Sequence, residues 1–394
     1  MADEQPLAGI RVLDLSRVLA GPWCTQMLAD FGADVIKVEK PGAGDDSRGW
    51  GPPYYSDSNG HRVSAYFCAT NRGKKSVELD FEDPAQLEIV RKLASECDVL
   101  VENFKVGALG RRGLDYESIF EKNPKVVYCS ITGFGQTGPL ASRPGYDTIM
   151  QGMGGLMSVT GHPDHVPGGG PVKVGVPLTD IMTGVYAVTG ILLALRQRDS
   201  SGKGQHIDLA LLDVQVSSLS VIAANFLASG KVPGRHGNQL SNAAPSDAMV
   251  CNDGVVMIMV ATNPQFRKLC RCMGLDSLYD DPRFASNELR VIARDELMEI
   301  LRPVFKTRSR SEWIEQLSAL GVPCGPVNDF ADVYNDPQVQ ARGNLVSLSD
   351  PQFGDIRVAA NPVRLSRTPA QYKPIPTKLG SAVHGDSEWS RIWE

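Results

Sequence analysis

The rhythm of the chain between residues 10 and 131 constrains its fold more than any other feature. Short β-rich runs alternate with helical stretches: IRVLDL, a helix opened by Gly21-Pro22, ADVIKVEK, KSVELD, a helix from about Pro84, DVLVEN, another helix, and KVVYCSI. That alternation predicts βαβ units and a parallel, doubly wound sheet, an α/β fold of Rossmann-like type. At 394 residues the chain exceeds one typical core, so a second one is expected.

Residues 132 to 179 are loop-rich, with Gly-Pro pairs and the run Gly168-Gly169-Gly170-Pro171. Long loops in compact domains are usually functional. The following stretch, IMTGVYAVTGILLALRQR, holds a short apolar run closed by Arg196 and Arg198. It falls short of the roughly 20 residues a membrane span needs and reads as a buried core helix. A second helical pattern, about Asp208 to Ser229, leads into the breaker-rich KVPGRHGNQLSNAAPS, the candidate crossing between domains. Strand-like GVVMIMVA and the helical patterns after it suggest a smaller α+β domain.

Composition removes several function classes. With 40 basic against 45 acidic side chains and no basic run longer than Lys74-Lys75 or Arg111-Arg112, nucleic acid is a poor partner. The opening MADEQPLAG has neither a basic n-region nor an apolar h-region, so a cytoplasmic location and no membrane partner are expected. The eight cysteines, mostly in apolar contexts, suit free thiols in a reducing compartment. Neither Cys270 with Cys272 nor His162 with His165 offers four converging ligands, and no metal is expected.

Gly133-Phe-Gly135-Gln-Thr-Gly138 matches the dinucleotide fingerprint, which would make the chain an NAD-dependent oxidoreductase. The fingerprint should open a helix, yet Pro139 and LASRPG follow, so a turn-forming loop at a strand end is the better reading. GxSxG, Walker A and HExxH patterns are absent. His206, in GQHIDL, reads as structural. Asp180 stands between the Gly-rich loop and the apolar helix, with Thr183 three residues on, where a helix N-cap belongs. A helix N-terminus favours the ionised carboxylate, which is what a carboxylate nucleophile requires.

The segments VLDLSRVLAGPWCTQMLADFGADVIKVEKPGAGDDSR, VLVENFKVGAL, YCSITGFGQTGP, RPGYD, PLTDIMTG and SGKGQHIDLALLD, in that order, closely resemble class III CoA-transferases of the formyl-CoA:oxalate and carnitine type. GDDSRGWGPP and YCSITGFGQTGP are most similar to succinyl-CoA-dependent members that act on dicarboxylates such as glutarate. The resemblance implies that Asp180 attacks an acyl-CoA thioester, forming an aspartyl-acyl anhydride and then an aspartyl-CoA thioester. CoA is then a substrate, and no cofactor is tightly bound. CoA binding is implied at Val18, Leu19, Ala20, Lys40, Leu79, Asn103, Phe104, Lys105 and Arg111, together with Tyr146 and Asp147 in the segment beside the nucleophile. Lys173 and Arg143 are candidate partners for a second substrate carboxylate.

The resemblance further implies an interlocked homodimer whose large domain combines both ends of the chain. Residues 1–200 and 330–394 would form the large CoA-binding domain, 201–229 a connecting helical segment, and 230–329 the small α+β domain with linkers. Acyl-CoA racemases share the fold and an aspartate at the Asp180 position, but pair it with a histidine where this chain has Tyr146 and a glutamate where it has Asn263. Proton exchange at an α-carbon needs titratable groups on both faces, so racemisation is the weaker alternative. A protein that binds CoA without catalysis is the other.

Overall fold

The computed structural model describes residues 4–382 and 392–393. Its central sheet has six parallel strands: β1 (Arg11–Asp14), β2 (Asp34–Glu39), β3 (Lys74–Glu78), β4 (Val99–Glu102), β5 (Val127–Thr132) and β6 (His206–Ala210). The helices that carry or flank the site are α1 (Ala20–Asp30), α2 (Ala65–Thr70), α3 (Pro84–Glu96), α4 (Asp147–Met153), α5 (Leu178–Ser201), α6 (Leu211–Ser218) and α7 (Ser220–Ser229).

Successive strand residues point to opposite faces, and the sequence fills both faces. Val12, Val35, Val99, Val101, Val127 and Cys129 pack with α1 and α5 in one core, while Leu13, Ile36, Val77, Leu100 and Tyr128 pack with α3 in another. The strand order is β3-β2-β1-β4-β5-β6. The order in which strands are added therefore reverses between β1 and β4, and the connections leaving their carboxyl ends run apart to leave a crevice where such sheets bind ligands.

The chain divides into two compact units. The first comprises residues up to 156, 174–224 and those from 340 on; the second comprises 157–173 and 225–339. The expected connecting helical segment, 201–229, belongs to the first unit up to residue 224 and to the second from 225 on, and it opens with a strand of the central sheet. His206–Ala210 pairs with β5 from Tyr128↔His206 to Thr132↔Ala210, and α6 packs beside α4 and α5. The helical pattern was visible in the sequence, but an edge strand of five residues inside it was not. In the first unit the hairpin Leu345–Asp350/Gly354–Ala359 shares a core with α2 through Val63, Phe67, Ile356 and Val358.

The second unit has a three-stranded antiparallel sheet, Ser246–Val250, Val255–Met259 and Cys324–Pro326, packed against helices around Phe266, Leu297, Phe305 and Trp313. The indole of Trp313 donates to the Phe305 carbonyl at 2.8 Å, so its one polar atom is satisfied in the core.

Helix α5 is longer than the apolar run suggested, at 24 residues. Among the described residues it is the one single helix long and apolar enough to cross a membrane. One stripe, Thr183, Ala187, Ile191 and Ala194, is buried. A Cβ at Gly184 would lie 2.8 Å from the Ala20 carbonyl oxygen and 2.9 Å from Cδ1 of Trp23, so only glycine lets α5 approach α1 this closely. The other face exposes Val185, Tyr186, Leu192 and Leu193. All eight cysteines are free thiols.

Candidate active site

Two loops meet at the crevice. The loop after β1 is tied to the loop after β4 by Asn103, whose Oδ1 accepts from the Arg17 amide at 2.9 Å and whose Nδ2 donates to the Arg17 carbonyl at 2.7 Å. The chain then turns into α1 so tightly that a Cβ at Gly21 would stand 2.2 Å from the Ser16 hydroxyl oxygen. The Gly21-Pro22 pair that marks the helix start in the sequence thus serves close packing.

The third wall comes from the segment after β5. Here Gly133 and Gly145 lie back to back: a Cβ on Gly133 would fall 2.7 Å from the Gly145 Cα, and one on Gly145 would fall 2.5 Å from the Gly133 Cα. The first glycine of the fingerprint-like run therefore packs against the glycine of RPGYD. From Gly133 to Tyr146 the chain runs as turns, and a helix opens only at Asp147.

Asp147 opens α4 and turns its carboxylate to the start of α5. Its Oδ2 accepts from the amides of Thr179 at 2.8 Å and Asp180 at 3.3 Å, while its Oδ1 accepts from Gln151 Nε2 at 2.6 Å. Gln151 also accepts from the Val174 amide, and the Thr179 hydroxyl donates to Gln215 Oε1 at 2.6 Å. The orphan amides of the α5 N-terminus are thus satisfied by a side chain more than thirty residues earlier.

Asp180 is consequently not the N-cap that its position suggested. It occupies the third residue of α5, half-buried, and among the described residues no cation pairs with its carboxylate. Burial, and then the negative charge of Asp147, push it up to about 7. The expectation that the helix end holds this carboxylate ionised is therefore corrected: loss of hydration outweighs the helix dipole, and Asp147 already occupies the free amides.

Asp180 lines a cavity of about 300 Å³ together with Val18, Leu19, Ala20, Asn103, Phe104, Lys105, Arg143 and Tyr146. A second cavity of about 490 Å³ is lined by Lys40 and Leu79, and shares Arg17, Phe104 and Lys105 with the first. Nine of the expected residues thus meet around one hollow and two more around its neighbour. Three do not line either. Arg111 stands outside both walls, and Arg112 lines the second cavity instead, donating to the Ala108 carbonyl at 3.0 Å. Asp147 lies behind the wall as the helix cap. Lys173 belongs to the second unit, at the end of the loop 157–173.

Several site residues escaped the sequence reading. Arg17 and Asp46 line the first cavity, and both sit inside the quoted motifs, so their location was available though their role was not. The Arg17 guanidinium lies 4.8 Å from the Phe104 ring centroid and that of Arg143 5.9 Å from Phe134, so two cations of the wall rest on aromatic faces. Tyr66, on α2, stands edge-on to Trp50 at 5.3 Å. Its phenol is pushed up to about 12 by burial and then by Asp180, Asp147 and Asp45. In the second unit Asn263, the residue at the racemase glutamate position, accepts from Arg290 at 2.9 Å and donates to the Ala285 carbonyl at 3.1 Å, a structural assignment.

Chemically, the arrangement offers a half-buried carboxylate in Asp180, an exposed one in Asp46, three cations in Arg17, Lys105 and Arg143, and an adjoining hollow. A family model described as CoA-transferase family III matches residues 7–382. The chain is 46% identical over 378 residues to a succinate–glutarate CoA-transferase of Agrobacterium fabrum, spanning 96% of this chain and 94% of that one. It is 42% identical over 380 residues to the succinyl-CoA:glutarate CoA-transferase of Homo sapiens, spanning 96% and 85%. A solved structure, that of a CAIB/BAIF family protein from Brucella suis, is similar with a TM-score of 0.88 at 45% identity, over 99% of this chain and 100% of that one. With the parallel sheet, the crevice and nearly the whole chain accounted for, this protein is an enzyme of CoA-transferase family III.

Proposed function

We propose that this enzyme moves CoA from succinyl-CoA to a small dicarboxylic acid, with Asp180 as the covalent carrier. The carrying observation is the Asp180 carboxylate itself, desolvated, unpaired among the described residues and set in a cavity wall with three cations. Identities of 42% and 46% to enzymes named for succinate and glutarate support the substrate class.

In this reading an Asp180 oxygen attacks the thioester carbonyl carbon and the C–S bond breaks. CoA leaves as a thiolate and an aspartyl-succinyl anhydride remains. The thiolate then attacks the aspartyl carbonyl, the anhydride C–O bond breaks, and succinate departs from an aspartyl-CoA thioester. The acceptor carboxylate runs the two steps in reverse and restores the Asp180 carboxylate. Each bond broken is replaced by one of similar activation, so a hard exchange is split into near-isoenergetic steps. Burial of Asp180 serves both to raise its nucleophilicity and to exclude the water that would hydrolyse the anhydride.

The second carboxylate of each acid needs a cation, and Arg143 in the wall is our candidate. Lys40 and Leu79 are assigned to CoA in the adjoining cavity. We also propose the interlocked homodimer. The apolar outer face of α5, with Val221 on α7, supplies surface for a partner copy. Eight free thiols agree with a reducing, cytoplasmic setting.

Incubation with succinyl-CoA followed by intact-mass measurement should show a covalent adduct that maps to Asp180, and a panel of acids should yield new acyl-CoA species. Transfer without any adduct on Asp180, even on rapid quenching, would sink the covalent reading.

A further inference from the structure

Val18 has φ of +73°, a left-handed backbone conformation that a β-branched residue adopts only under constraint. Strain of this kind persists where the surroundings over-determine it. Those surroundings are specific. The Val18 amide donates to both oxygens of Asp45, each at 3.2 Å. The Asp45 side chain is fully buried, 2.9 Å from the equally buried Lys37 Nζ. Its Oδ1 also accepts from the Ser47 amide at 2.9 Å and the Ser47 hydroxyl at 2.7 Å, so the carboxylate cannot rotate without loss. Lys37 donates in addition to the Ser16 carbonyl at 2.8 Å, gripping the same loop two residues before Val18.

We propose that Asp45 is a positioning residue for the transfer reaction: anchored by Lys37 and Ser47, it holds Val18 left-handed and thereby sets the wall formed by Val18, Leu19 and Ala20 for the acyl-CoA. It also ties that wall to its neighbour, Asp46, on the facing segment of the same cavity. A buried ion pair is a poor stability device compared with apolar residues of equal volume. Its orientation of one strained amide explains what the pair does. This inference rests on reading the cavity as the acyl-CoA site.

The test is a suppressor series on the full-length enzyme: Asp45→Asn, Val18→Gly and the two combined. The readouts are succinyl-CoA kinetics, CoA dissociation constants by calorimetry, and thermal melting. Asp45→Asn is expected to lower kcat/KM about 10- to 100-fold, mainly through KM, with a parallel rise in the CoA dissociation constant, the range for a charge-assisted hydrogen bond. Glycine takes positive φ without steric cost. Adding Val18→Gly to Asp45→Asn should therefore recover about tenfold in kcat/KM, whatever Val18→Gly does alone.

Full activity in Asp45→Asn, or a double variant no better than the single, overturns the inference, because a merely structural ion pair gains nothing from glycine at position 18. Should Asp45→Asn not fold, Ser47→Ala removes one anchor of the same carboxylate. Its loss of roughly threefold must likewise be relieved by Val18→Gly, and an unrelieved loss is equally decisive. A wild-type enzyme that neither binds CoA nor transfers it would bring down the reading of the site and this inference together; a working wild type with no suppression brings down the inference alone.

Discussion

The foot of β1 and the mouth of α5 both bury charge, and they do opposite things with it. At the foot of β1, Asp14, Lys37, Asp45 and Lys74 have no exposed side-chain surface, and every charge has a partner: Lys37 with Asp45 at 2.9 Å and Lys74 with Asp14 at 3.0 Å. Burial works to raise the carboxyl of Asp14, but Lys74 and Lys37, with the hydroxyls of Ser16 and Thr25, together outweigh it and hold it low. Burial brings Lys74 down to about 8 against the pull of Asp14. At the mouth of α5 no cation pairs with the buried carboxylate among the described residues, and the charge that acts on it, Asp147, has the same sign. Desolvation alone does not mark a reactive carboxylate. Desolvation left uncompensated does.

The widest separation between the two regions should come from removing the carboxylates' roles outright. Asp180→Ala is expected to lower transfer by about 10³-fold or more in steady-state kinetics while the protein stays folded, since it deletes the proposed nucleophile. Lys37→Met should act first on stability, costing roughly 3–5 kcal/mol in chemical denaturation because it strands the buried Asp45 charge, and should lower transfer far less than Asp180→Ala, through the wall that Asp45 holds. A Lys37→Met protein of unchanged stability would erase the contrast.

A smaller effect tests the cost of the uncompensated charge. The carboxyl of Asp180 is raised in the folded state from 3.8 to about 7. The folded protein therefore loses stability as pH rises between those values, and the loss is complete above the upper one. Asp180→Asn should gain roughly 1–2 kcal/mol at pH 8 and almost nothing near pH 4, the figure being discounted because Asp180 is partly solvated. Equal gains at both pH values would show that charge is not the cause.

The finest adjustment concerns the neighbour. In the wild type, kcat/KM should fall with a slope of one below about pH 7 as Asp180 gains a proton. Asp147→Asn keeps an acceptor for the α5 amides but removes the like charge, and should move that acidic limb down by about half to one unit. An unmoved limb would leave burial as the whole explanation.

The sheet was readable because IRVLDL, ADVIKVEK and KVVYCSI are apolar runs bounded by turn residues, and their alternation with helices needs no long-range information. Asp180 was readable through PLTDIMTG and the order of the motifs around it. Its chemical state was not, because that depends on burial and then on Asp147, and both arise only after α4 and α5 fold together. The glycines of GFGQTG and RPGYD could be seen separately, but nothing in either stretch announces that they touch. β6 was hidden because HIDLA looks like the start of the helix that follows it, and its strand character comes from pairing with β5. Asp45 stands beside Asp46 in GDDSR, where nothing in the sequence separates the two; burial and Lys37 distinguish it only in three dimensions.

The contact between Gly133 and Gly145 bears on how this enzyme can fail. An alanine at either position would add a single carbon where no room exists, wedge the two turns apart and shift Tyr146 and Asp147 together. The same carbon would also press on Met150, whose Cε lies 2.5 Å from a Cβ at Gly145 and 3.3 Å from one at Gly133 and which is buried in the core beneath α1 and α5, so the lesion would be felt in stability as well as in the site. Inherited or engineered lesions here would therefore register in an abundance screen and in an assay of turnover alike.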